Sequence, residues 1–110
     1  MAHIEVGDVS GGEDIAMGMN MDAMFSRATA FNQDISSWDV SQVMNMGDMF
    51  TRAAAFNQPI GTWNVSSVTN MPEMFSGADA FNQDISGWDV SSVTNMRWMF
   101  EQAATFNQNI

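Results

Sequence analysis

The side chains able to do chemistry in this chain are mostly oxygens and thioethers: 13 Asp and Glu, scattered Ser and Thr, and 12 Met in 110 residues. Cys and Tyr are absent, the three basic residues are all Arg (Arg27, Arg52, Arg97), and the one His is His3. Thiol and amine nucleophiles are therefore missing, and no Ser or Thr has a visible base to activate it. A carboxylate pair could do the acid–base work of a glycosidase, but that chemistry needs one asymmetric cleft. Near-identical units do not supply one, so the chain is not expected to be an enzyme.

The carboxylates fall into columns. Asp39, Asn64 and Asp89 recur at intervals of 25 between apolar Trp and Val, so alternation points them outward, and Asp14 continues the column. Ser41, Ser66 and Ser91 flank it two residues later, with Ser37 and Thr62 on the other side. The expectation is an acidic, hydroxyl-rich strip on the concave face of a sheet, where repeat proteins recruit partners. The competing reading is a solvated face. Asp34, Pro59, Asp84 and Asn109 form a second, looser column. Calcium is the ion that stacked carboxylates could hold, and a calcium-dependent module is one alternative function. Against it, Asn and Pro dilute the Asp positions and no Gly-rich calcium nonapeptide is present. No metal ligand set is assigned, and no cofactor is expected. Met17, Met19, Met21 and Met24 have thioethers that suit Cu(I). The later Met residues recur at core spacing, which favours packing instead.

Behind these columns stands a repeat. Phe-Asn-Gln occurs at 31–33, 56–58, 81–83 and 106–108; Trp38, Trp63 and Trp88 keep the same interval. Met-Phe ends at Phe25, Phe50, Phe75 and Phe100, and Asn-Met begins at Asn20, Asn45, Asn70 and Asn95. The period is 25 without a gap from residue 19 onward. A single unit cannot bury its own apolar face, so units must stack.

Within a unit, Met46, Met49, Phe50 and Ala53 follow the i, i+3, i+4, i+7 rule of a short helix. Asn45 reads as its N-cap with Asp48 at N3, and Asn70-Met71-Pro72-Glu73 resembles a capping box. Asn57-Gln58-Pro59 reads as a turn, after which Ile60, Trp63 and Val65 point inward from an extended segment. The expected fold is an α/β repeat solenoid with one short parallel strand and one short helix per unit, strands about 4.8 Å apart. Trp38, Trp63 and Trp88 are placed in the core by their phase with Val40, Val65 and Val90, not on a sugar platform. Asn32, Asn57, Asn82 and Asn107, with their Gln neighbours, are expected to form buried amide ladders that satisfy backbone groups of the next unit.

The unit resembles the 25-residue repeat of the BspA-like bacterial surface proteins, a divergent relative of leucine-rich repeats. The residues that carry the likeness are Phe56-Asn57-Gln58, Trp63-Asn64-Val65-Ser66, Val68-Thr69-Asn70-Met71 and Met74-Phe75, with their equivalents. The resemblance covers roughly 19 to 110. It implies a right-handed, leucine-rich-repeat-like coil, an extracellular or cell-surface location, and a role as an adhesin or host-interaction module. The partner would be a protein or glycan on a host or neighbouring cell surface. A structural spacer without specific ligand is the alternative.

Residues 1–18 depart from the pattern, with Glu13 at the Trp position and Gly18 at the second Val, and read as an N-terminal cap. Residues 19–110 are then the tandem repeats of one domain. Met1-Ala2-His3 reads as an added start and Ile110 falls in mid-repeat, so a piece of a longer protein is expected. An uncapped last unit would expose an apolar face and a strand edge, inviting end-to-end self-association. A net charge of -10 and a pI near 4.1 argue against nucleic acid or anionic membrane as partner, and no apolar run is of spanning length.

Overall fold

A computed structural model describes residues 20–108 of the chain. The repeat units stack as layers, and the backbone hydrogen bonds between layers join residues 24 to 26 apart. Asn20, Asn45, Asn70 and Asn95 pair in succession through single parallel bridges. Beyond each Asn, every second N–H reaches the next layer: Met46 to the Asn70 carbonyl (2.8 Å), Asp48 to Pro72 (2.9 Å), Phe50 to Met74 (2.9 Å) and Arg52 to Ser76 (2.8 Å). The intervening N–H groups close turns inside their own layer, Met49 to Met46 (3.3 Å), Thr51 to Asp48 (3.2 Å) and Ala53 to Phe50 (3.0 Å).

This bonding scheme overturns the expected α/β solenoid. Among the described residues there is no α-helix and no named strand, only a three-residue 3-10 helix at Ile60–Thr62 and the isolated bridges. The predicted helix fails for a stated reason. Asp48 and Arg52 have φ of 56° and 59°, and their counterparts Ala23, Glu73, Trp98, Arg27, Gly77 and Gln102 are also left-handed. A left-handed residue at the third position of a turn is the mark of type II geometry and ends a right-handed helix at once. An isolated helix of this length is marginal, whereas linked turns let alternate N–H groups bond the neighbouring layer. Burial still follows the predicted stripe: Met46, Met49, Phe50 and Ala53 are all fully buried.

The predicted strand is broken in the same way. Trp38 N–H donates to Ile35 and Val43 N–H to Val40, so a turn closes on each side of Asp39. Asn45 is no helix cap. Its Oδ1 accepts the Gly47 N–H at 2.9 Å, an Asx turn repeated at Asn20 and Asn95. Asn70 cannot repeat it, because Pro72 has no N–H to give. Its Nδ2 donates instead to Asn45 Oδ1 at 3.1 Å.

The core is an aromatic lattice. Phe50 and Phe56 stack at 4.2 Å within a layer, and Phe50 meets Phe25 and Phe75 at 5.6 Å across layers. Phe31, Phe56, Phe81 and Phe106 form the second column at 5.8–6.0 Å. Interplanar angles within and between these columns run from 3° to 12°, so offset parallel stacking is propagated by the period itself. The three repeat Trp residues lie in the core, as their phase with Val requires. Trp63 and Trp88 donate Nε1–H to the Ile35 and Ile60 carbonyls of the preceding layer, each at 3.0 Å. Among the described residues no buried side-chain polar atom lacks a partner. The resulting body measures 31 × 29 × 22 Å.

The Asn–Gln ladder forms, but at the surface. Asn32 Oδ1 accepts Asn57 N–H at 2.8 Å and Gln58 Nε2–H at 2.9 Å, and Asn57 and Asn82 repeat the arrangement. Asn32 and Asn107 are exposed and Asn57 and Asn82 half-buried, which corrects the expected burial. The expected cap at 1–18 lies outside the described residues.

Candidate functional site

Asp39, Asn64 and Asp89 are exposed and aligned through three successive layers, but on turns rather than on a concave sheet. Each forms its own Asx turn. Asp39 Oδ1 accepts the Ser41 N–H at 3.0 Å and the Ser41 hydroxyl at 2.6 Å. Asn64 makes the same pair of contacts to Ser66 at 3.1 and 2.7 Å, and Asp89 accepts the Ser91 N–H at 3.0 Å. Ser41 and Ser66 are half-buried and Ser91 exposed. The predicted hydroxyl flank is thus brought onto the carboxylates themselves. Asp14 lies outside the described residues.

The second column behaves alike. Asp34 and Asp84 accept the N–H groups of Ser36 and Ser86 at 3.0 and 2.9 Å. Pro59 has no oxygen to offer there, and the chain takes another route: Ile60 N–H donates to the Gln58 carbonyl at 2.8 Å and Ile60–Thr62 winds into the 3-10 helix. Asn109 lies outside the described residues. In all four Asp residues the Ser hydroxyl, then the Ser N–H, holds the carboxyl below its ordinary value. These are dependable anionic groups. Asp22 goes the other way, raised by partial burial and then by the Asp48 charge.

Among the described residues no three His, Cys, Asp or Glu side chains gather as a metal site would require. Asn64 and Pro59 interrupt the two Asp columns. Met21 is buried and Met24 packs against the core, so these two thioethers serve the interior. No helix among the described residues is long and apolar enough to cross a membrane.

A family model described as "Mycoplasma protein of unknown function, DUF285" matches residues 12–110. The chain belongs to this family. No curated protein and no solved structure matches it. The family match extends into the segment read as an atypical cap, beginning one residue before Glu13.

Two surface features of this DUF285 chain escaped the reading of its sequence, the exposed Trp98 and a groove beside Arg27 and Arg52. Trp98 is 53% exposed, with the Arg97 guanidinium 4.4 Å from its ring centroid. A break in the repeat was the available signal, since its counterparts are Ala23, Asp48 and Glu73. Arg27 and Arg52 border a shallow groove of about 400 Å³ with Thr29, Gly77, Asp79 and Gln102. An apolar hollow of about 470 Å³ opens at the last layer, between Ile85, Trp88, Val90, Met96, Met99 and Phe100.

Proposed function

We propose that the chain is a non-catalytic recognition module that presents its exposed Asp columns to a cationic patch on a protein or glycan partner at a cell surface. The observation that carries this reading is the alignment of Asp39, Asn64 and Asp89 in three layers, with both carboxylates held ionised by Ser41 and Ser91. The turn contacts of Asp39 fall on Oδ1, so one oxygen builds the turn while the exposed residue still carries its full charge. Asp34 and Asp84 add further charge, and the net charge of -10 makes steering of a basic partner the natural electrostatic outcome. The likeness of the unit to the BspA-like 25-residue repeat supports display on a bacterial surface and an adhesive role.

A second reading is a structural spacer. It is favoured by the fact that each column residue works in its own turn and that Asn64 serves there as well as Asp. The same fact supplies a clean experiment. Asp39→Asn with Asp89→Asn keeps the Oδ1 acceptor and removes the charge. The bead-displayed chain and this variant would be compared for binding to host cells, matrix proteins and glycans. Selective binding that weakens at least tenfold in the variant supports recognition through the column. Equal binding, or none by a folded chain, rejects it in favour of the spacer.

A further inference from the structure

Positive charge is scarce in this chain and concentrated in one place. Two of its three Arg, Arg27 and Arg52, hold the same position in successive layers, against 13 acidic residues. Both backbones are left-handed and tied to the next layer, Arg27 N–H to the Thr51 carbonyl (2.7 Å) and Arg52 N–H to Ser76 (2.8 Å). The two side chains therefore start one layer apart, a step that the Phe columns set at 5.5–6.0 Å. Like charges on neighbouring positions repel, yet among the described residues neither guanidinium has an ion pair or a side-chain hydrogen bond. The third position of the column is Gly77, where a Cβ would stand 3.2 Å from Arg52 Cγ. With no side chain there, a shallow groove of about 400 Å³ runs along the side of the stack. Arg27, Thr29 and Arg52 line it in two layers, and Asp79 borders it in the third.

We propose that this groove binds a carboxylated sugar, its carboxylate shared by Arg27 and Arg52 and a ring hydroxyl donating to Asp79. A planar carboxylate matches the guanidinium fork, and one placed between two guanidiniums offsets their repulsion. Asp79 selects the rest of the ligand. An ionised carboxylate only accepts hydrogen bonds, so it calls for a donor and repels further negative charge, which disfavours phosphate esters. Asp79 stands one layer beyond Arg52. An α-amino acid cannot span that step, because its ammonium lies beside its own carboxylate and would meet the two Arg instead. A sugar ring carries hydroxyls on the side away from its carboxylate, at the distance the layers require. The groove is at the small end of the range for ligand sites, which suits a single ring. The inference concerns other residues than the Asp columns and does not rest on them.

The test uses the full chain and methyl glucuronide, followed by NMR amide shifts and titration calorimetry. Methyl glucoside, glucose phosphate and alanine are the comparison ligands. Saturable shifts around Arg27, Arg52 and Asp79 are expected with the glucuronide, and binding about tenfold weaker or less with the uncharged glucoside, which lacks the charge-assisted contacts. Arg27→Gln with Arg52→Gln should keep the melting temperature and lose the glucuronide, since Gln102 already occupies the same position with φ 59°. Asp79→Ala, which matches Ala54 one layer before, should fold as well, weaken the glucuronide and strengthen glucose phosphate. No saturable binding of the glucuronide, equal binding of the glucoside, or full binding by the folded double Arg variant would each overturn the proposal. So would tighter binding of glucose phosphate or alanine by the parent, or an Asp79→Ala variant that binds the glucuronide as the parent does.

Discussion

A carboxylate that closes its own turn does two jobs with one group. In Asp34, Asp39, Asp84 and Asp89 the Ser hydroxyl and N–H both bond the charged form, so protonation weakens the turn. The folded pKa lies below the unfolded one, near 3.8, so this contribution is present above that value and lost as pH falls through the lower folded values. Asp22 has the opposite sign, favouring the folded state at low pH and losing that as pH rises, because burial and Asp48 penalise its charge. Four groups against one make acid destabilising at this level. A variant with Asn at 34, 39, 84 and 89 should therefore show a flatter fall in melting temperature than the parent between about pH 5 and pH 2.5. Parallel curves would mean that the turns do not depend on the charge. The sequence showed both columns and, beside Asp39 and Asp89, Ser41 and Ser91, but not that one caps the other. Alternation alone assigned the Asp39, Asn64 and Asp89 column to a sheet, because the period-2 signal cannot distinguish a strand from a run of tight turns.

At the scale of the element, the layer around Pro59 is the exception that shows the rule. Where its counterparts use an Asp to close a turn, Pro59 takes φ -78° and ψ 73°, near an inverse γ-turn, and feeds the 3-10 helix Ile60–Thr62. That route brings Gly61 against the next layer, where a Cβ would collide with the backbone carbonyl oxygen of Asp84. A backbone atom cannot swing aside like the tip of a side chain. Gly61→Ala should cost about 1–3 kcal/mol, read as a lower denaturant midpoint at unchanged slope. Gly87→Ala, with open space around it, is the matched control. Equal effects at the two positions would show that the close approach is not real. From the sequence, Pro59 read only as the end of an Asn57-Gln58-Pro59 turn; the close approach of Gly61 lies with a residue 23 positions away and has no local signature.

For the whole molecule, position in the stack decides what a residue is worth. Phe50 and Phe106 occupy the two aromatic columns, yet Phe50 is 0% exposed with Phe columns continuing on both sides, while Phe106 is only partly buried in the last described layer. Phe50→Ala should destabilise by about 3–5 kcal/mol and Phe106→Ala by clearly less, measured by thermal or denaturant unfolding. Hydrogen exchange should follow the same gradient, with the Phe50 and Arg52 N–H groups, bonded to Met74 and Ser76, slower than Ala103, bonded only within its layer. Similar losses at Phe50 and Phe106 would argue that the last layer is covered in solution.

What the sequence determined by itself is the period and, from it, the inside of the protein. Spacing placed the Met, Phe, Trp and Val columns in the core, set the Asn–Gln ladder, and exposed the Asp columns, because burial depends on which face a side chain shares with its equivalents. What only the tertiary structure decided is the path of the backbone between those positions. The N–H groups that would have closed a helix at Met46–Ala53 are drawn alternately to carbonyls 24 residues away, and left-handed residues such as Asp48 and Arg52 accommodate that geometry. A local pattern of apolar residues reports which side faces inward, but it cannot say whether a backbone N–H will bond four residues back or one layer on. That choice is made by the neighbouring layer, which exists only once the chain has stacked.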